Sequence, residues 1–257
     1  GNDPEFAAAL QWGRHELTLL QPLVSAAFAD SKFNAEDLAK YGYTDIVQLA
    51  AGVNPFRLKY EPTDSRLIGE LHSHFPDGYI LAVSQVIPHK RMELAIEAVH
   101  LLRTVHRLDV GLVIAGPERN LSYARDLAKL RSRLPEAHVL MMGETTESQL
   151  ATLYRACAVY FGTSDHEGLA IPPLEAMAAG VPVVIRGTGA VPETVGDAAL
   201  VAKPEATICE LTEMLHAVLT NSKLRATLVM RGREHVRNFY AQDTTQVFLE
   251  KINELAS

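Results

Sequence analysis

From residue 79 onward, short apolar runs alternate with longer stretches in which apolar and polar positions follow a helical period. The apolar runs predict buried parallel strands at 79–83, 110–115, 138–142, 159–162, 181–185 and 199–202. The stretches between them predict helices that begin near Lys90, Leu121, Glu147, Pro172 and Glu205. The tail from residue 222 to the end is also predicted to be helical. Strands that alternate with helices in this way indicate an α/β fold with a doubly wound parallel sheet.

The first fifty residues show a different and weaker pattern. Two helical patterns, at 16–29 and 35–42, precede a short predicted strand at 45–50. A piece of this size buries too little surface to form a core alone. The opening GNDPEF, residues 1–6, is typical of a cloning remnant and is left out of the fold prediction.

Composition narrows the class of protein. The chain has 257 residues, of which 47% are hydrophobic, which suffices for one large domain or one and a half. It contains no run of 18 apolar residues that predicts a membrane span, and a formal net charge of −7 argues against nucleic acid as a partner. Cys157 and Cys209 have neither metal-binding nor redox spacing, which favours a reducing cytosol.

The segment 163–184, TSDHEGLAIPPLEAMAAGVPVV, is the part of the sequence that most clearly indicates a ligand-binding site. An apolar run precedes it, and consecutive prolines open a predicted helix whose first N–H groups favour an anion. Gly168 lets the backbone approach a ligand closely. The carboxylates of Glu167 and Glu175 are poor phosphate ligands but good acceptors for hydroxyls, whereas His166 is more typical of a loop hydrogen-bonding residue than of a base. A ligand with a diphosphate and two polyol ends, a nucleotide-sugar, satisfies all these features.

The run EGLAIPPLEAMAAGVPVV resembles the Glu-x7-Glu signature of the retaining glycosyltransferases of family 4, which have the GT-B fold. Residues 80–100 look like the first strand, phosphate loop and helix of that family's Rossmann-like donor domain, and 189–201 look like a later loop and strand. Residues 51–56 look like the linker between the two GT-B domains. The amino-acid sequence of these motifs is most like that of mannosyltransferases of polysaccharide assembly. The resemblance implies that 7–55 contain the end of an N-terminal acceptor-side domain and the linker, and that 56–257 form the nucleotide-sugar-binding domain.

The resemblance also implies roles for individual residues. Lys90 would bind the donor phosphates and stabilise the leaving diphosphate, Glu167 would contact the donor sugar, and Glu175 would accept hydrogen bonds from the ribose. We therefore expect Lys90 and Glu167 to take part in catalysis. No metal ligands are expected, because the sequence has no Asp-x-Asp pair or His-rich cluster. The residues expected to bind the donor are Ser84, Gln85, Lys90, Gly143, Glu144, Glu167, Gly168, Leu169, Ala170, Ile171 and Glu175.

Each of these side chains also has a plain structural interpretation. Lys90 would then be a solvated lysine in the first turn of a helix, Glu167 a loop residue that caps the next helix, and Glu175 an exposed helical glutamate. Open α/β sheets bind ligands beyond the carboxyl ends of their strands, and the motif residues are predicted to fall there. Arg119 and Arg186 also follow predicted strands at this edge. We expect both to be solvated arginines rather than phosphate ligands.

The chain departs from the family pattern at two places. Ser84 and Gln85 stand where many members have Gly-Arg, so that an arginine that normally shares the diphosphate is replaced by an uncharged side chain. The loss of a charged hydrogen bond costs about 1.5–3 kcal/mol unless another cation takes its place. Leu169 and Ala170 replace a phenylalanine and the second motif glycine.

The function that the resemblance implies is transfer of a hexose, with mannose expected, from a nucleotide-diphosphate sugar to a hydroxyl of a glycan or lipid-linked acceptor. GDP-mannose is the first expectation for the donor, followed by a UDP-sugar, and no other cofactor is expected. The acceptor and any peripheral contact with the inner face of the membrane would belong to the N-terminal domain, so this part alone is expected to bind donor without transferring it. A non-catalytic nucleotide-sugar-binding module is the alternative, supported by Gln85 and Ala170. An epimerase or phosphorylase of GT-B shape is disfavoured by the intact motif.

Overall fold

The computed structural model describes residues 4–50, 54, 56–241 and 243–256. The strands in this part of the chain are β1 (Ala27–Ala29), β2 (Ile46–Gln48), β3 (Tyr79–Val83), β4 (Gly111–Ala115), β5 (Val139–Gly143), β6 (Val159–Gly162), β7 (Val183–Arg186) and β8 (Leu200–Ala202). The helices are α1 (Pro4–Leu20), α2 (Lys32–Lys40), α3 (Ser65–His74), α4 (Met92–Thr104), α5 (Leu121–Arg133), α6 (Glu147–Ala156), α7 (Ile171–Ala179), α8 (Val191–Val195), α9 (Ile208–Thr220), α10 (Ser222–Phe239) and α11 (Thr244–Leu255).

The chain divides into two compact units, one formed by 1–53 with 242–257 and the other by 54–241. The sequence prediction placed 242–257 with the second domain, whereas the structure groups these residues with the first unit. The predicted linker at 51–56 falls mostly on 51–53 and 55, which lie outside the described residues. The same holds for 1–3 of the predicted cloning remnant, while 4–6 are part of α1.

The first unit contains a small parallel pair, β1 and β2, in which Phe28 lies opposite Val47. The last helix joins this unit through the ring of Phe248, 5.1 Å from that of Phe28. The helix predicted over 16–29 is wrong in its second half, because α1 ends at Leu20 and 27–29 form β1. Pro22, in the following 3-10 turn, cannot continue the helical hydrogen bonding.

The second unit is built on a six-stranded parallel sheet with the order β5-β4-β3-β6-β7-β8. The chain moves outward from β3 through β4 to β5 and then returns to the other side of β3 with β6. The two directions diverge between β3 and β6, and open α/β sheets bind ligands in the crevice beyond the carboxyl ends of strands at such a point. The predicted α/β, doubly wound fold is confirmed.

Two apolar layers cover the two faces of this sheet. Along β3, Ile80 belongs to one layer and Leu81 to the other, as the two-residue period of a strand requires. Apolar residues of α4, α5 and α9 pack against the layer that contains Ile80, and those of α3, α6 and α7 against the layer that contains Leu81. The burial of both faces explains why the strands are apolar throughout rather than alternating.

Most predicted bounds agree with the structure to within a few residues, and the deviations have local causes. The helix predicted near Lys90 begins at Met92, after a 3-10 turn that Pro88 opens. The helix predicted near Glu205 begins at Ile208, where Thr207 forms a capping box with the residue three positions on. The prediction did not include α3, whose N-cap Asp64 accepts hydrogen bonds from two backbone N–H groups.

Candidate functional site

The loops that follow β3 and β6 meet at the carboxyl edge of the sheet. Lys90 closes the 3-10 turn after β3, and Glu167 lies in the loop between β6 and α7. Their side chains form an ion pair of 2.8 Å between Nζ and Oε1, and they are only 17% and 18% exposed. The solvated-lysine interpretation of Lys90 is therefore wrong. Two residues that the sequence singled out 77 positions apart are in direct contact.

Hydrogen bonds to backbone carbonyls hold the two loops together. The hydroxyl of Thr163 donates to the carbonyl of Lys90 at 2.7 Å, and the N–H of Asp165 donates to the carbonyl of His89 at 2.7 Å. The position of Glu167 relative to Lys90 is thus set by the backbone on both sides as well as by the ion pair.

The side chain and the backbone of Glu167 are both engaged. Ser164 donates a hydrogen bond of 2.6 Å to Oε1, and the N–H of Ala190 donates one of 2.9 Å to the carbonyl. Gly189 has a φ of +59°, and a Cβ there would lie 2.3 Å from the carbonyl oxygen of Glu167. The capping interpretation of Glu167 is not met, because the N-cap of α7 is Ala170, which has no side-chain cap.

Arg186 departs from the sequence prediction. It was expected to be solvated, but it is the last residue of β7 and only 8% exposed. Its Nη1 donates to the carbonyl of Thr163 at 2.9 Å and to Oδ1 of Asp165 at 2.6 Å. The strand extends one residue further than predicted and carries this side chain under the loop. Arg119 is exposed, as expected.

A second arginine reaches the same carboxylate. Arg91, which has a left-handed backbone with φ 51° and ψ 44°, places its Nη1 3.0 Å from Oδ2 of Asp165. Partial burial raises the pKa of the Asp165 carboxyl, but hydrogen bonds from Arg186 and Arg91 outweigh it, so the pKa lies below its ordinary value. Asp165 is therefore an anion that joins the loop after β3, the loop after β6 and the end of β7.

Glu175 lies in the second turn of α7 and is buried, with 4% exposure. Its Oε1 accepts a hydrogen bond of 2.9 Å from Nε of Arg57, and its Oε2 accepts one of 3.1 Å from the hydroxyl of Tyr154. The interpretation of Glu175 as an exposed helical glutamate is wrong. Burial raises the pKa of Glu175 above its ordinary value, although Arg57 and Tyr154 act in the opposite direction.

Arg57 and Glu147 are not among the site residues predicted from the sequence. Arg57 begins a 3-10 turn 118 residues before Glu175, and its guanidinium contacts both Glu175 and Glu147, the first residue of α6. Beside this group lies a groove of about 180 Å³ whose lining includes Phe56, Tyr154 and Glu175. No spacing in the sequence could signal these contacts, because they join two distant segments.

The start of α7 supplies fewer backbone donors than the sequence analysis assumed. Pro172 and Pro173 have no N–H, so the donors that remain are those of Ile171 and of the loop residues before it, including Leu169. Ala170 stands where the family has a glycine and adopts the left-handed conformation, with φ 61°. A non-glycine residue in this conformation costs about 1–2 kcal/mol. The loop therefore holds its shape against local strain.

The other predicted binding residues lie along the same edge of the sheet. Ser84 and Gln85 follow β3, where the hydroxyl of Ser84 donates to the carbonyl of Gln85 at 2.9 Å and Gln85 is exposed. Gly143 ends β5 with a φ of +65°, and the exposed Glu144 follows it. These two lie two strands away from Ser84 in the sheet.

Among the described residues, His106, Glu213 and His216 lie close enough together to share a metal ion. His106 follows α4, and the other two lie on α9, so the group is at the opposite edge of the sheet from Lys90. The two imidazole rings stack with centroids 4.2 Å apart and planes at 22°.

A profile of the family described as Glycosyl transferases group 1 matches residues 72–235. O-antigen chain mannosyltransferase B of Escherichia coli is 29% identical over 171 residues, which are 65% of this chain and 44% of that protein. A GDP-mannose-dependent monoacylated alpha-(1-6)-phosphatidylinositol monomannoside mannosyltransferase of Corynebacterium glutamicum is 31% identical over 160 residues, 60% of this chain and 41% of that protein. The chain spans less than half the length of these two relatives.

Solved structures show the same fold. Anabaena Alr3699/HepE in complex with UDP and glucose has a TM-score of 0.78 at 18% identity, over 95% of this chain and 66% of that chain. Sucrose-phosphate synthase of Thermosynechococcus elongatus has a TM-score of 0.77 at 19% identity, over 93% of this chain and 61% of that chain. No helix in the described ranges is both long and apolar enough to cross a membrane.

Proposed function

Since the chain belongs to the family of glycosyl transferases group 1, we propose that it is the donor-binding part of a retaining transferase that moves mannose from GDP-mannose to a hydroxyl of a glycan or lipid-linked acceptor. The observation that carries the proposal is the half-buried pair of Lys90 and Glu167. It lies beyond the carboxyl ends of β3 and β6, where the strand order reverses.

The chemistry of this pair suits a nucleotide-diphosphate sugar. The ammonium of Lys90 is a compact positive charge. A diphosphate carries more negative charge than the carboxylate of Glu167 and therefore offers this ammonium a stronger partner. Once Lys90 turns to the diphosphate, the carboxylate of Glu167 can accept hydrogen bonds from the sugar hydroxyls. Positive charge placed beside the departing diphosphate lowers the barrier to transfer, because negative charge accumulates there in the transition state.

Glu175 and the loop before α7 complete the proposed donor site. Glu175 would accept a ribose hydroxyl, and the N–H groups from Leu169 to Ile171 would contact the phosphate at the start of α7. Gly143 and Glu144, two strands away at the same edge, would lie beside the nucleobase. The donor nucleotide-sugar is the one small molecule that the proposal requires.

Mannose and guanosine are favoured by what is known of the relatives. Two proteins of similar sequence carry mannosyltransferase in their names, and the name of one states that it depends on GDP-mannose. A UDP-sugar is the second candidate, because the structure of Anabaena Alr3699/HepE is a complex with UDP and glucose. These names support the choice of donors to test and leave the acceptor to be identified.

The rest of the reaction would depend on an acceptor-side domain. Since the chain spans less than half of these two relatives, we propose that this part binds donor in the cytoplasm, in contact with the inner face of the membrane only through that domain, and transfers little or nothing alone. The second candidate function is a non-catalytic nucleotide-sugar-binding module. The exposed, uncharged Gln85 in the loop after β3 favours it.

The first test is calorimetric titration with GDP, UDP, GDP-mannose and UDP-glucose. We expect one nucleotide to bind saturably and Lys90→Ala to weaken it by about ten-fold or more, because a charged hydrogen bond contributes roughly 1.5–3 kcal/mol. Lys129→Ala is the matched control, since Lys129 pairs with Asp126 on the exposed surface of α5.

Two outcomes would count against the proposal. Absence of binding at millimolar ligand would contradict a donor site, and equal affinity in Lys90→Ala would contradict the role of Lys90. Donor binding without turnover, in a chain joined to its acceptor-side domain, would favour the binding module over the transferase.

A further inference from the structure

Glu175 already uses most of its hydrogen-bonding capacity inside the protein. A carboxylate offers about four acceptor positions, two on each oxygen. Oε1 lies 2.9 Å from both Nε and Nη2 of Arg57, which occupy its two positions. Oε2 accepts from the hydroxyl of Tyr154 at 3.1 Å. Within the described part of the chain no second donor to Oε2 is found, which leaves one acceptor position on Oε2 for a ligand.

The position of Arg57 is fixed from two directions. Arg155 of α6 donates hydrogen bonds of 2.9 Å and 3.1 Å to the carbonyls of Leu58 and Lys59, and so holds the 3-10 turn that carries Arg57. On its other side, the guanidinium of Arg57 contacts Glu147. The cation is therefore held between two carboxylates and cannot leave Glu175 without disturbing both contacts.

We propose that Arg57 is a positioning residue of the donor site, which together with Tyr154 orients the carboxyl of Glu175 and restricts it to a single ribose hydroxyl. The inference rests on the proposed function, because it assumes that a ribose reaches Glu175. It assigns a role in ligand recognition to a residue outside the Glu-x7-Glu motif. It also predicts that the 2′- and 3′-hydroxyls of the donor are recognised unequally.

The surroundings of Glu175 determine how its charge responds to pH. Burial raises the pKa of Glu175, and Arg57 is the cation that opposes this effect most strongly. Without Arg57 the pKa would rise further, and the carboxyl would take up a proton at a higher pH. The charged and titratable groups around Glu175 are Arg57, Glu147, Lys59, Arg155 and the phenols of Tyr154, Tyr160 and Tyr240.

The neighbouring phenols do not titrate near neutral pH. Burial raises the pKa of Tyr154 and Tyr160 well above the ordinary value, and it raises the pKa of Tyr240 to about 12. A change in ribose recognition between pH 6 and pH 8 would therefore not arise from these phenols. A ribonucleotide and its deoxy form carry the same phosphates. The effect of phosphate protonation on affinity is therefore removed when the two affinities are divided.

The first experiment compares GDP with 2′-deoxy-GDP and 3′-deoxy-GDP on the wild-type protein by calorimetry, or the uridine forms if UDP is the nucleotide that binds. We expect one deoxy analogue to lose about ten-fold in affinity, as for one hydrogen bond to a charged group, and the other to bind nearly as well as the parent. In Glu175→Gln the loss should shrink. Equal losses for both analogues, or none for either, would overturn the restriction to one hydroxyl.

The second experiment follows the ratio of ribose to deoxy affinity in Arg57→Gln and Arg57→Lys at pH 6 and pH 8. We expect the ratio in Arg57→Gln to fall toward one more strongly than the wild-type ratio between pH 8 and pH 6, because loss of the cation raises the pKa of Glu175 further. Arg57→Lys, which retains the cation, should restore most of the wild-type behaviour. An Arg57→Gln ratio equal to that of the wild type at both pH values would refute the role of Arg57.

Arg66→Ala is the matched control, because Arg66 pairs with Glu70 on the exposed surface of α3. Thermal unfolding shows whether each variant is folded, and the deoxy analogues test the wild-type protein even if Arg57→Gln does not fold. If the wild type binds no nucleotide, the proposed function fails and the inference fails with it. If it binds but the ratios do not respond to Arg57, the inference alone fails.

Discussion

Asp165 is the residue on which the shape of the loop after β6 depends. Arg186, almost completely buried, and Arg91, in a left-handed conformation, both donate to its carboxylate. Removing one partner of such a pair leaves the other charge without compensation, which costs more than the pair contributes by itself. The charge of Asp165 therefore matters for stability although the side chain is partly exposed.

For this single residue, we predict that Asp165→Asn lowers the melting temperature at pH 7 and has a smaller effect on it near pH 3. The pKa of Asp165 lies below its ordinary value in the folded protein. Its contribution is present above the unfolded pKa of about 3.9 and is lost as the pH falls through the lower folded pKa. Thermal unfolding across this pH range is the measurement, with the exposed Asp77→Asn as control. An equal decrease at both pH values would contradict the prediction.

Gly189 gives a second prediction for a single residue. A Cβ at this position would lie 2.3 Å from the carbonyl oxygen of Glu167, and the φ of +59° is unfavourable for other residues. We expect Gly189→Ala to displace the loop of Glu167, to lower the melting temperature and to weaken nucleotide binding. Thermal unfolding measures the melting temperature, and calorimetric titration measures the nucleotide affinity.

The matched control for this substitution is Gly69→Ala. Gly69 lies within α3, and a Cβ there would meet nothing within 4 Å. The substitution should stabilise the helix by up to about 1 kcal/mol, because alanine has the higher helix propensity. If Gly189→Ala leaves binding and stability unchanged, the close approach to Glu167 is not a constraint.

At the scale of elements, α4 and α9 pack together on the face of the sheet that contains Ile80. Leu215 of α9 is completely buried in this layer. We predict that Leu215→Ala lowers the free energy of unfolding by about 2–5 kcal/mol, the usual cost of a cavity in a core. Denaturant unfolding measures the change, and Met230→Ala, at an exposed position of α10, serves as control.

The same substitution tests how far the site depends on this layer. The site residues lie in loops at the carboxyl edge and on α6 and α7, so folded Leu215→Ala should bind nucleotide as the wild type does. A large loss of affinity in the folded variant would show that packing of α9 sets the geometry of the site.

At the scale of the molecule, every residue assigned to the donor site falls within the unit 54–241. We predict that a chain limited to 54–241 binds the same nucleotide with an affinity within about two-fold of that of the full chain, because the contacts assigned to the site lie within this unit. Calorimetric titration of both chains, after a check that each unfolds cooperatively, is the measurement. A loss of more than ten-fold would show that 1–53 or 242–257 contribute to the site.

The class of fold, and the edge of the sheet at which the site lies, could be predicted from the amino-acid sequence. Runs such as Tyr79–Val83 are apolar because both faces of a parallel sheet are covered, and this signal is local enough to read from a single chain. The proximity of Lys90 and Glu167 follows from the same reasoning, since loops after neighbouring parallel strands meet at one edge. Motif resemblance then selected these two residues among many charged ones.

The partners of the charged side chains could not be predicted from the sequence and are known only from the packing of the folded chain. Arg57 reaches Glu175 across 118 residues, and Arg186 is buried beneath a loop rather than solvated. The short strand at 27–29 likewise depends on its pairing with β2. A periodic pattern reports whether a position faces the interior, but the partner that it meets there depends on how distant segments pack, because contact energies act through space and not along the chain.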